Sequence, residues 1–280
     1  MGRSPTVTRR IPRKVRGTVF GRDAAGYDRA RPGYPDRVYE ILTERCGLGP
    51  GSSVFEVGAG TGIATRALLR HGAGPLTLIE PDRRQARFLV DSLGPRTTRV
   101  EILLAPFERA KLPSRSFDLG VAASSFHWTS ERLALRKVAR LLKPGGWWAS
   151  WNNLHGNPYR MGPFRRALQP LYEELEGGHS REEVPREVAA KHRRAGLAAL
   201  RSVGQFDRIS REDIPWSVPL TTSQVTALWG TFSDLLVLPP PKRRWFLRNL
   251  GRIVDETFQG KVDLPVLTYM YTARRAPGKP

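Results

Sequence analysis

Residues 54–69 read VFEVGAGTGIATRALL, a short apolar strand, three glycines within five positions, and then apolar residues at helical spacing. A strand–glycine loop–helix unit constrains the fold more than any other stretch of this chain. Gly58, Gly60 and Gly62 permit a tight turn and close backbone approach to a ligand. The helix that follows aims its free N–H groups at the same spot and favours negative charge there. Two common ligands of such loops fail on single residues. A phosphate loop ends in Gly-Lys-Ser/Thr, and this loop holds no lysine. A dinucleotide fingerprint needs glycine at 63, where Ile63 stands, with Gly62 one position early.

The surrounding chain repeats the same rhythm. An amphipathic helix is expected from about Pro35, with Val38, Ile41 and Leu42 on one face, and GPGSS breaks the chain before the first strand. LTLIE, RVEILLAP, FDLGVAASS and WWASWNN read as further strands. Between them lie PDRRQARFLVDSLG, with proline suited to a first helical turn, and SERLALRKVARLLKPGG, with Ser130 as the expected cap and Lys143-Pro144 and paired glycines as the stop. Past residue 153 the pattern changes to helices rich in both charges. Strand signals return only around LRSVGQFDRI and LPVLTYMYTARR, with helices over roughly 221–235 and 240–258 between them. The expected fold class is therefore α/β: a doubly wound, Rossmann-like, seven-stranded sheet with a helical insertion after the fifth strand. The domain reading is a basic tail over 1–19, a core over 20–152, a helical cap over 153–198, and a part over 199–280 that completes the sheet.

Composition narrows the function classes. With 280 residues and a hydrophobic fraction of 40%, the chain can bury a sizeable core. The lone cysteine, Cys46, excludes a disulfide framework or a multi-cysteine zinc site within the chain, and no metal is expected. The formal charge is +20, and only eight of the 46 basic residues are lysine. Such a surface favours anionic partners. The positive residues are spread along the chain, however, so solvation is the preferred reading and nucleic acid a less favoured one. The opening MGRSPTVTRRIPRKVRG holds six basic residues and no acid; no apolar segment follows its paired arginines, which excludes an export signal there. No apolar run reaches membrane-spanning length. A cytoplasmic protein with a disordered basic tail and no membrane association is expected.

The third ligand of glycine loops is S-adenosylmethionine. Glu56 followed by Gly58, Gly60 and Gly62 resembles the first motif of the class I methyltransferases, an acid followed by G-x-G-x-G. Further motifs, ARPGYP at 30–35, FHW at 126–128 and KPGG at 143–146, resemble the small-molecule branch related to trans-aconitate methyltransferases, over about residues 20–152. The resemblance implies S-adenosylmethionine as cofactor and methyl transfer as the activity. It implies that Glu56, an anion that would be costly inside an apolar strand without a cationic partner, lies near the methionyl ammonium. Gly58, Ala59, Gly60 and Gly62 then form the loop around the cofactor. Glu80, ending the second strand, is placed to accept both ribose hydroxyls, a role common to nucleoside sites. Asp82 is a weaker candidate and equally a helix cap. Phe107 and Glu108 stand where the family places residues against adenine, although Phe107 also fits a plain core position. This chain lacks the acid that many relatives carry at Ala105 or Pro106. Ser124 ends the fourth strand beside the crevice, and Tyr34 and Arg31 lie in the segment that closes over the cofactor.

On the acceptor side, His127 is a candidate general base and equally a pocket wall, since a carboxylate acceptor needs no base. Trp128, Asn152 and Arg160, with Trp151 and Tyr159, stand where a substrate roof is expected, and an arginine fork there would grip a carboxylate. The expected function is methyl transfer to a small-molecule O-, N- or carboxylate acceptor by in-line displacement. An RNA or protein methyltransferase and a non-catalytic nucleoside-binding regulator are the alternatives.

Overall fold

The computed structural model describes residues 20–94, 99–155, 162–176 and 186–277; the expected basic tail, Tyr159 and Arg160 lie outside them. After a 3-10 turn at Phe20–Asp23 come helices α1 (Ala24–Ala30) and α2 (Asp36–Glu44). Strand β1 (Val54–Val57) leads through the glycine loop to α3 (Ile63–Arg70). Then follow β2 (Leu76–Ile79), α4 (Arg83–Leu93), β3 (Val100–Leu103), β4 (Phe117–Ala123), α5 (Glu131–Leu141) and β5 (Leu142–His155). Then come α6 (Pro163–Glu176) and α7 (Arg186–Ser202). The chain closes with β6 (Phe206–Thr221), α8 (Thr222–Gly230), α9 (Ser233–Leu236), α10 (Pro240–Phe258) and β7 (Lys261–Arg275).

The seven strands form one sheet in the order β3-β2-β1-β4-β5-β7-β6. The first five strands run parallel, and β7 is antiparallel to both β5 and β6. The switch point lies between β1 and β4, so the crevice opens at their carboxyl ends, where open α/β sheets bind ligands. Strands β1 and β2 are buried at every position, because crossover helices cover both faces. One core packs α2, α3 and α4 on the sheet, with Leu42, Leu68 and Leu89 fully buried. The opposite face holds Phe55, Phe117 and Trp148 under α5 and α7. Cys46 is buried, and desolvation pushes its thiol up to about 12, a structural rather than reactive state.

Two sequence expectations are corrected here. The helix before KPGG ends at Leu141, and residues 142–146 already belong to β5, with Leu142 beside Phe117. Ser130 occupies the N-cap of α5, but its side chain makes no capping bond; its N–H instead donates to Glu108 Oε1 at 3.1 Å. The strand β5 also outruns its expected end by two residues, reaching His155 opposite Val266. The β6–β7 ladder continues past that point from Ser217–Pro265 to Thr221–Lys261. This free end of the hairpin carries α8 and α10, which pack a third core around Phe246, Leu250 and Trp229 together with Phe164 and Leu168 of α6. Pro215 and Pro219 sit in β6, the edge strand, where a missing N–H costs the ladder least. The helices α6, α8 and α10 therefore share a third core of their own.

Candidate active site

The glycine loop is shaped by packing as well as by the ligand it would face. Gly58 and Gly62 both have left-handed φ, +69° and +88°. A Cβ at Gly58 would meet Ser125 Cβ at 2.6 Å, and one at Gly62 would meet Leu89 Cδ1 at 2.2 Å. Gly60, with φ +58°, donates its N–H to Glu80 Oε2 at 2.8 Å. Asp82 N–H donates to Glu80 Oε1 at 2.8 Å, so two backbone groups fix this carboxylate. Each oxygen retains a lone pair for a further hydroxyl donor. Burial raises the Glu80 carboxyl above its usual range despite these two bonds. Asp82 itself caps α4, accepting from Arg84 N–H at 2.9 Å, and is held low by its arginine bonds.

Glu56 is 1% exposed at the centre of the crevice floor. Its hydrogen-bond partner among the described residues is the Thr65 hydroxyl, which donates at 2.7 Å. Desolvation pushes its carboxyl up to about 8, with nearby Glu80 adding to the shift. The neighbouring Arg66 directs its guanidinium to Asp28 at 2.6 Å and Thr61 O at 2.9 Å. Thr61 Oγ1, also in the loop, is buried without a hydrogen-bond partner among the described residues. A buried acid with no cation bonded to it, beside a ribose-type carboxylate and an unpartnered hydroxyl, fits a ligand bearing both an ammonium and a nucleoside.

Tyr34 closes this crevice from above. Its hydroxyl donates to Ser124 Oγ at 3.0 Å, and its ring meets Trp151 edge-on at 5.7 Å. Ser124 holds an unusual φ of +52°, with its N–H bonded to Trp151 O. Tyr34 and Ser124 are thus brought together, joining the N-terminal segment to the β4 end. Phe107 is placed differently from the expectation: it is 3% exposed, its ring stacked on Phe55 at 6.2 Å and covered by Lys137. The ring serves the core and offers no open face to an adenine; Glu108 beside it is exposed.

His127 is exposed on a 3-10 turn, its ring 4.4 Å from that of Trp128, which in turn meets Phe20 at 6.2 Å. Asn152 is partly buried on β5. Its neighbour Asn153 donates to Gly33 O and accepts from Thr268, tying the RPGYP segment to the sheet. Arg31 lies over the rings of Tyr27 and Phe232, 5.1 and 4.8 Å from their centroids, and donates to Thr231 O at 3.2 Å.

A chamber of about 300 Å³ lies beyond Asn153, walled by His155, Phe164, Tyr172, Trp229 and Phe232. Trp229 Nε1 donates to Tyr172 Oη, and the His155 ring is 5.4 Å from Phe232. His155 Nε2 is buried without a hydrogen-bond partner among the described residues. Desolvation, with Arg31 nearby, pulls its pKa down to about 3, so the imidazole is neutral. Sequence reasoning missed His155, because it follows the expected strand end in LHGNPYR and carries no periodic signal. It missed Trp229 and Phe232 because they reach the chamber only through the hairpin extension.

The sheet order and the acid–glycine loop at its switch point define a class: α/β methyltransferases of class I architecture. Residues 55–150 match the model described as "Methyltransferase domain". The chain is 24% identical to an uncharacterized methyltransferase of Schizosaccharomyces pombe over 93% of its own length and 98% of that protein's. It is 30% identical to an uncharacterized methyltransferase of Mycobacterium tuberculosis over 45% of this chain and 49% of that one. In fold it is similar to Haemonchus contortus phosphoethanolamine N-methyltransferase 2, at 12% identity and TM-score 0.55, covering 92% of this chain and 58% of that one. The [4+2]-cyclase SpnF shares the fold at 21% identity and TM-score 0.51, covering 89% of this chain and 85% of that one. The chain belongs to the S-adenosylmethionine-dependent methyltransferases. Among the described residues no helix is long and apolar enough to cross a membrane, and no His/Cys/Asp/Glu group is arranged to hold a metal.

Proposed function

We propose that this enzyme methylates a small-molecule acceptor held in the chamber between Asn153, His155 and Phe232, with residues 20–152 as cofactor core and the helices after β5 as its cap. The observation that carries this reading is the chamber itself. About 300 Å³ walled by aromatic rings suits a metabolite and is too confined for a folded protein or a structured RNA. When bound, S-adenosylmethionine supplies a methyl group on a sulfonium, open to in-line attack by the acceptor's O, N or carboxylate atom.

The protein's part is then positioning and charge. Glu56 pairs with the methionyl ammonium and ionises as it does so. Glu80 accepts the ribose hydroxyls while the Gly60 N–H holds its orientation. Gly58, Ala59 and Gly62 give the backbone its close approach. Tyr34, bonded to Ser124, seals the crevice against water. In the chamber the neutral His155 offers a buried, unpartnered nitrogen able to accept a hydrogen bond from an acceptor hydroxyl or amine and so orient it. That role is one of positioning, and His127 and Trp128 form the outer wall. Holding the two reactants in line supplies most of the acceleration in such a displacement.

The test pairs two measurements. Titration calorimetry should show S-adenosylmethionine binding to the native chain. Incubation with methyl-labelled cofactor and a small-metabolite extract should yield a labelled product heavier by one methylene, and His155→Phe should abolish it without loss of cofactor affinity. Absence of a labelled product, with labelling of RNA or protein instead, would overturn the reading.

A further inference from the structure

A second and larger cavity, of about 850 Å³, lies on the other side of Arg31, between α1 and the cap elements α8 and α10. Four arginines line it, Arg22, Arg29, Arg31 and Arg243. None of the four makes an ion pair with a carboxylate among the described residues. Other partly buried arginines, Arg45, Arg66, Arg211 and Arg274, each hold a carboxylate. The one acid in the lining, Asp23, is engaged in capping α1, accepting from Gly26 N–H at 2.7 Å.

Arg31 and Arg243 are held side by side. Arg31 donates to Thr231 O and Arg243 to Gly230 O, adjacent carbonyls at the C-terminal end of α8. Both are partly buried, and the Nε atom of each is buried without a hydrogen-bond partner among the described residues. Burying a cationic donor unpaired is costly, so two in one place call for an anion that the chain does not supply. Arg22 and Arg29 are exposed at the rim, where they would draw such an anion in. The rest of the lining is largely apolar, including Val218, Leu220, Leu236 and Leu247.

We infer that this cavity binds an anion-headed apolar molecule, a carboxylate or phosphate monoester on a hydrocarbon body, with its head between Arg31 and Arg243. Such a ligand has two possible sources, the far end of the methyl acceptor or a separate effector. The assignment does not depend on the chamber reading, because binding is measured without turnover.

The experiment titrates the full chain with decanoate, decyl phosphate and decanol. Decanoate and decyl phosphate should bind with one-to-one stoichiometry, roughly tenfold or more tightly than decanol. Arg243→Met should reduce both anions to the affinity of decanol while leaving S-adenosylmethionine binding unchanged. Ala227→Trp, which fills the cavity from the helix face without touching an arginine, should remove all three and guards against a misfolded Arg243 variant. Transfer from labelled cofactor to a metabolite extract separates the sources: decanoate that inhibits transfer competitively with the extract marks the acceptor's own far end, and decanoate that binds without competing marks an effector. Equal affinity for anion and alcohol, no binding by any of the three, or anion binding untouched by both variants would overturn the assignment.

Discussion

At the glycine loop the protein buries carboxylates, Glu56 and Glu80, whose partners are a hydroxyl and backbone N–H groups. Beneath the cap it holds cations, Arg31 and Arg243, whose partners are backbone carbonyls. Each leaves its ionisable groups without an oppositely charged partner, and the signs they would carry are opposite. A folded chain that pairs most of its partly buried arginines elsewhere has left these groups for ligands. The contrast teaches that two separate sites differ in the sign of ligand they suit: the proposed cationic amino-acid end against β1, and the proposed anion against α8.

The largest effect that tests this division is on cofactor binding. Glu56→Ala removes the anion opposite the methionyl ammonium and should weaken S-adenosylmethionine by about 3–5 kcal/mol, since it breaks a buried charge pair. Calorimetry would read this, and a change under tenfold would erase the proposed role of Glu56. Glu80→Ala should cost less, about 1.5–3 kcal/mol, for lost charge-assisted bonds to ribose. The cap side should answer oppositely: Arg31→Met should leave cofactor affinity in place.

A pH series sharpens the same comparison. His155 is held neutral in the fold, with its pKa drawn from about 6.5 to about 3. The unfolded chain therefore takes up a proton that the folded chain refuses, and stability falls as pH drops from 6.5 towards 3. His155→Phe should flatten that part of the melting-temperature profile, as measured by thermal denaturation. The smallest effect is expected at a paired arginine. Arg274, bonded to Asp207 near the surface, should cost under about 1 kcal/mol when changed to alanine. A cost of several kcal/mol would show that this surface pair is not the minor contributor expected.

Much of the cofactor half is legible in residues 54–82, because its devices are local. The strand, the glycines and Glu80 sit within a single β-α-β unit, and the positions of Ile63 and Gly62 are enough to decide between ligands of the loop. The cap half is hard to read for the converse reason. Arg31 meets Thr231 across two hundred residues, and Arg243 reaches the adjacent Gly230 carbonyl only because the β6–β7 hairpin runs past β5. No periodicity marks His155, and the segment after it reads as loop. Phe107 shows a different limit: its position after β3 fits a ligand contact, yet the stacking partner Phe55 draws its ring into the core.

One measurement bears on the charge division most directly. With its carboxyl raised to about 8, Glu56 is mostly protonated at pH 7 in the empty crevice. An arriving ammonium lowers that pKa and expels the proton. Titrating S-adenosylmethionine at pH 7 in buffers of different ionisation enthalpy should reveal release of close to one proton per cofactor bound, and Glu56→Gln should release none. Binding without proton release, or release that survives the substitution, would contradict the account.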